Sequence, residues 1–220
     1  SKRPVINSSI SNLSSYVQQG QWRKVQNCFN SLEEMDRSCY AELMLLEIDK
    51  IQDASSAVNT AQILLEYAQT IDVRDQEGNT PLHRVAAEGK LGLLQLLLNK
   101  KANPNAICRD QNTPLMKAAQ KGHVRVLEHL LVRTNDLNHR NLFRGTALTL
   151  ALNCQRDLCT YRLLEESNLD VNLQPTLFSP IDIATTYGNV VAVAKILKYK
   201  TLQLEQSQAI KTLEGILGWY

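Results

Sequence analysis

Apolar residues in the middle of the chain recur in a two-part pattern. After Gly122 come Val124, Leu127, Leu130 and Leu131, spaced three, three and one apart, which places them along one stripe of a helix. Before Gly122, the run Pro114-Leu115-Met116-Lys117-Ala118-Ala119-Gln120-Lys121 predicts a shorter, alanine-rich helix that a neighbour can approach closely. Thr113 offers a hydroxyl to the open amides at its start, and Pro114 fills the first helical position, where no amide donor is missed. Gly122 ends it, because glycine enters the left-handed conformation that costs other residues about 1–2 kcal/mol.

The pattern is periodic. Shifted back by 33 places it reads Thr80-Pro81-Leu82-His83, Ala86, Gly89, Leu91, Leu94, Leu97 and Leu98. Shifted forward it passes through Thr146, Leu148, Ala151, Leu163 and Leu164, then Ser179-Pro180-Ile181, Ala184, Gly188, Val190, Val193, Ile196 and Leu197. Four in-register copies make an internal repeat of helix-turn-helix units. Between the copies lie turn signals: Asp75-Gln76-Glu77-Gly78-Asn79, Cys108-Arg109-Asp110-Gln111-Asn112, Asn141-Leu142-Phe143-Arg144-Gly145 and Gln174-Pro175-Thr176-Leu177-Phe178.

The T-P-L-H-x-A-A-x-x-G-H pattern, the paired leucines and the spacing resemble the ankyrin repeat. Met116, Thr149 and Asp182 depart from it where His83 matches, Ala147 stands in place of proline, and Gln155 in place of glycine. The resemblance implies an all-α solenoid of stacked helix pairs with projecting β-turn fingers and a concave face that binds other proteins. It also implies that the motif histidines, His83 and His123, hydrogen-bond the neighbouring turn. Four repeats are expected within 71–200, at about 75–107, 108–140, 141–173 and 174–200, the third bent locally.

Ahead of them, 1–70 reads as an irregular helical region of degenerate repeats. Leu13, Tyr16 and Val17 predict one helix, Gly20 a turn, and Trp22, Val25, Cys28, Phe29 and Leu32 a second helix. A further pair follows through Tyr40, Leu43, Met44 and Ile48, then Val58, Ala61, Ile63, Leu64 and Leu65, with a longer first helix and Asp53-Ala54-Ser55-Ser56 as a helix-breaking link. At the other end, Ile210, Leu213, Ile216 and Leu217 predict a capping helix within 201–220, polar on one side because nothing stacks on it.

Composition narrows the function. The chain has 220 residues, 44% hydrophobic and only 5% aromatic, which suits aliphatic stripes between helices. Basic and acidic residues nearly balance, 24 against 22, so no strong field argues for nucleic acid or an anionic membrane. Five cysteines without paired spacing favour a cytoplasmic or other reducing compartment. No apolar run approaches the ~20 residues that span a bilayer, and polar sequence follows Ser1-Lys2-Arg3-Pro4.

Nothing in the pattern points to catalysis, a cofactor or a metal. The chain has no C-x-x-C, H-x-x-x-H, H-E-x-x-H or G-x-S-x-G, and Cys154 and Cys159 stand about 140° apart around a helix. The informative residues are those the repeat leaves free. Along the fingers they change from charged and polar, at Arg109, Asp110 and Asn112, to apolar, at Leu142, Phe143, Leu177 and Phe178. Arg140 and Arg144 flank the apolar group, while Gln120, Lys121, Asn153 and Tyr187 belong to the neighbouring inner face. Apolar side chains beside arginine are typical interface anchors, although the same four could pack finger against finger.

The expectation is therefore a monomeric, non-catalytic module that binds a partner protein through fingers and concave face. A rival reading is the substrate-recruiting arm or adaptor of a larger enzyme or ubiquitin-ligase-type assembly, its chemistry outside this chain. No F-box-like Leu-Pro start is evident. The eroded, Asn- and Gln-rich repeats are also similar to ankyrin effectors that intracellular bacteria deliver into host cells, where a host protein would be the partner.

Overall fold

The computed structural model describes residues 12–172 and 178–199, and among these there are helices and turns but no strands. The N-terminal part holds α1 (Leu13–Gln18), α2 (Trp22–Ser31), α3 (Glu34–Leu45), a 3-10 turn (Ile48–Lys50) and α4 (Ala54–Tyr67). The regular units follow as α5 (Pro81–Glu88) with α6 (Leu91–Asn99), α7 (Pro114–Lys121) with α8 (Val124–Leu131), and α9 (Ala147–Asn153) with α10 (Asp157–Leu163). The last is α11 (Pro180–Thr186) with α12 (190–199).

The helices stack in two rows. The short helices α5, α7, α9 and α11 touch in sequence, and so do α4, α6, α8 and α10. Period-related side chains form the core between the rows: Leu82, Leu115 and Leu148 in one line, and Leu97, Leu130, Leu163 and Ile196 in another, all buried. Each such leucine contributes about 1.5–3 kcal/mol by leaving water. Helices of seven to nine residues are marginal alone, so contact between neighbours holds them.

Backbone conformation follows the same period. Gly89, Gly122 and Gly188 have φ of 71°, 88° and 67°, and Gln155, their register equivalent, takes φ 54° despite its side chain. Missing glycine therefore does not remove the turn. The departures at the histidine position are resolved locally too. Thr149 Oγ1 accepts from the Thr146 amide at 2.8 Å and Asp182 Oδ2 from the Ser179 amide at 2.8 Å, each closing the same helix start. Met116 brings its sulfur to 3.4 Å from the Thr113 amide.

Leu13, Val17, Val25 and Phe29 are buried around the left-handed turn at Gly20, and Tyr67 of α4 stacks on Phe29 with centroids 5.1 Å apart. The longer helix of the next unit is α3, with 12 residues. Between α1 and α5, however, stands the 3-10 turn, which touches both. The expected break at Asp53-Ala54-Ser55-Ser56 is instead a helix start: Asp53 caps α4 by accepting from the Ser56 amide at 2.6 Å. The predicted capping helix in 201–220 lies outside the described residues.

An ion cluster fastens this region to the array. Arg84 of α5 donates through Nε and Nη2 to both oxygens of buried Asp49, at 3.1 and 2.9 Å, and through Nη1 to Asp75 at 3.3 Å. Burial alone would raise the Asp75 carboxyl, but the Asn79 and Glu77 amides and Arg84 outweigh it and hold the group below its usual range.

Candidate functional site

The fingers are ordered by their own polar side chains. Asp75 Oδ1 accepts from the Glu77 and Asn79 amides at 2.9 and 2.8 Å, and Asn141 Oδ1 repeats the arrangement with Phe143 and Gly145 at 3.0 and 2.8 Å. Neighbouring fingers are then joined in register. The Arg109 amide donates to the Glu77 carbonyl, and the Leu142 amide to the Asp110 carbonyl, each at 2.9 Å. Among these three fingers, none can swing without breaking contact with a neighbour.

His83 connects this ladder to the helices. Its Nδ1 lies 3.2 Å from the Thr80 amide and its Nε2 2.9 Å from the Asn112 carbonyl. The amide can only donate and the carbonyl can only accept, so the ring is neutral with its proton on Nε2. Burial pushes the His83 pKa down to about 4, although the Asn112 carbonyl opposes that shift.

Within this frame the sequence-predicted surface residues fall into two groups and an exception. Leu142, Phe143 and Phe178 are exposed, at 56%, 69% and 60%, as are Arg109, Asp110 and Arg144, on consecutive fingers. Arg140 is half-buried beside them, and Leu177 lies outside the described residues. The second group, Gln120, Lys121, Asn153 and Tyr187, sits at the far ends of the short helices. Eight helical residues separate these ends from the fingers, about 12 Å.

Asn112 is the exception, because it is buried and not available at the surface. Its Oδ1 accepts from Asn141 Nδ2 at 2.9 Å while its carbonyl takes the His83 ring, so it holds fingers together.

At the helix ends one unit is clamped to the next; the motif accounts for His123 there, but sequence reasoning missed that Lys90 and Arg156 do the same work. Lys90, His123 and Arg156 share one register position, just after the left-handed turn, and all three reach back to a carbonyl of the preceding unit: Ile51, Ala87 and Gln120. The signal available was a long N–H donor at that place in three copies. Of the cysteines, Cys159 is buried and its pKa is pushed up to about 11, which keeps the thiol protonated and unreactive near neutrality.

Among the described residues no helix is long and apolar enough to cross a membrane. A search of curated proteins finds no match. A family model described as ankyrin repeats (3 copies) matches residues 51–141 and, in a second overlapping placement, 115–207. Such repeats generally mediate protein–protein interaction and are typically non-catalytic. With most of its length matched and its helix pairs, turns and fingers in one register, the chain belongs to the ankyrin-repeat family.

Proposed function

We propose that this chain acts as a monomer that binds a partner protein through the fingers of its second to fourth regular units, without chemistry of its own. The observation that carries the reading is the exposure of Leu142 and Phe143 on a finger already held by the Asn141 turn and the inter-finger hydrogen bond to Asp110, with Phe178 exposed ahead of the next helix. Apolar side chains of that size on pre-ordered loops can be desolvated without paying to order the backbone. Arg109, Arg140 and Arg144 surround them and make no side-chain hydrogen bond or ion pair among the described residues, so they are free to meet carboxylates. The favoured partner surface is apolar with an acidic rim.

The test replaces Phe143 and Phe178 by Ala and compares capture of partners from a lysate with that by the unchanged chain. Interface aromatics of this kind contribute about 2 kcal/mol each, so capture should fall by well over tenfold while the melting temperature stays constant. Unchanged capture together with a large loss of stability would show that the rings pack the fingers instead.

A further inference from the structure

The turn that ends each short helix is sealed by the unit that follows, and the seals share a chemistry. His123 Nε2 lies 2.9 Å from the Ala87 carbonyl, Arg156 Nε donates to the Gln120 carbonyl at 3.2 Å, and Lys90 Nζ donates to the Ile51 carbonyl. These carbonyls close a short helix or turn, the end that attracts N–H donors and positive charge. Glycine makes room for the two later seals. A Cβ on Gly89 would run into the His123 ring, and one on Gly122 would come within 2.8 Å of Arg156 Cδ.

At the next junction both halves of the device change. Gln155 stands in place of glycine, and Asn189 in place of the long donor. Asn189 turns to its own surroundings: Nδ2 donates to Asp157 Oδ1 at 2.7 Å, while Oδ1 accepts from the Tyr161 hydroxyl at 3.1 Å and the Ala192 amide at 2.9 Å. Among the described residues, no side chain of the last unit reaches the Asn153 carbonyl, the register equivalent of Ala87 and Gln120. A cavity of about 400 Å³ lies at this junction, with Leu152, Gln155, Asp157, Tyr161, Tyr187 and Asn189 in its wall.

The wall has one charged side chain, Asp157. Of the basic groups nearby, Arg156 is turned to Gln120, and Lys195 pairs with Glu165 at 3.4 Å while lying over the Tyr161 ring, 5.5 Å from its centroid. Asp157 itself has no ion pair among the described residues, and Tyr187 is 48% exposed at the rim.

We propose that this cavity, at the junction that lacks the bond made by His123 and Arg156 elsewhere, receives an arginine side chain of the partner protein. This rests on the protein-binding reading above and adds a second anchor, remote from the fingers. A guanidinium suits the wall in three respects: its planar donors match the Asp157 carboxylate, its face stacks on Tyr187, and its methylenes lie on Leu152. Lysine offers only a point charge and no stacking plane.

The test titrates the whole chain with a capped Gly-Arg-Gly peptide and its citrulline counterpart, following the backbone NMR signals of Tyr187, Gly188 and Asn189. The arginine peptide should give saturable shifts at about millimolar concentration, and the citrulline peptide should bind about tenfold more weakly or worse. Asp157→Asn should weaken binding about tenfold, and exposed Tyr187→Ala provides a second variant that leaves the core untouched. Installing the missing seal with Q155G and N189R should abolish it. Equal binding of both peptides, or no saturable shift by about 50 mM, overturns the proposal. The peptide does not need the fingers, so Phe143→Ala with Phe178→Ala should leave its binding intact. Failure of the peptide test would leave the finger reading standing, whereas loss of the finger reading alone would show as unchanged partner capture by that double variant.

Discussion

His83 makes stability depend on pH in a way that can be isolated. The ring is 1% exposed, neutral in the fold, and its pKa falls from 6.5 to about 4. An unfolded chain takes up a proton at this residue near 6.5, so acidification favours unfolding. Stability is full above about pH 6.5 and is lost progressively down to about 4, where the folded ring also titrates. The whole gap corresponds to roughly 3 kcal/mol, of which about 2 kcal/mol is lost between about pH 7.5 and 5. His83→Gln keeps an acceptor for the Thr80 amide and a donor for the Asn112 carbonyl but cannot titrate. Urea melts at the two pH values should show the unchanged chain losing about 1 M more in midpoint than the variant. Equal losses in both would refute a buried neutral His83 and the cross-unit hydrogen bond inferred from it.

Other consequences follow from the same contacts. Asp49→Ala leaves Arg84 with Asp75 alone and should cost about 3 kcal/mol, with faster amide exchange in 13–50 and little change in 114–163; uniform loss across the chain would contradict the fastening role. Gln155→Gly removes a side chain from a left-handed residue and should raise stability by about 1 kcal/mol in thermal melts. Gly89→Ala should lower it by more than about 2 kcal/mol, because strain at φ 71° adds to the collision with His123.

Much of this architecture was legible because period and chemistry coincide. Thr80, Thr113, Thr146 and Ser179 start helices, and the turn positions at 89, 122, 155 and 188 all take left-handed backbone. Local pattern did not carry the rest. Asp53-Ala54-Ser55-Ser56 has the composition of a link, but a capping carboxylate followed by three small residues also starts a helix, and packing of Ala57 and Ala61 selects that outcome. Asn112 looks like a finger-tip residue from its neighbours, yet its burial depends on His83 and Asn141, each 29 residues away. The seals at Lys90 and Arg156 were hidden because neither side chain resembles His123, the motif residue that does the same job.

The claim that partner contact occurs at the fingers is tested most directly by a photo-crosslinking residue placed at Phe143, with controls at Val132 and Leu43, which are 77% and 49% exposed at the end of α8 and on α3. All three positions are apolar and open, so exposure alone does not separate them. The expected result is a discrete covalent adduct with a partner from position 143 and none from the two controls. Adducts from 132 or 43, with none from 143, would contradict the account.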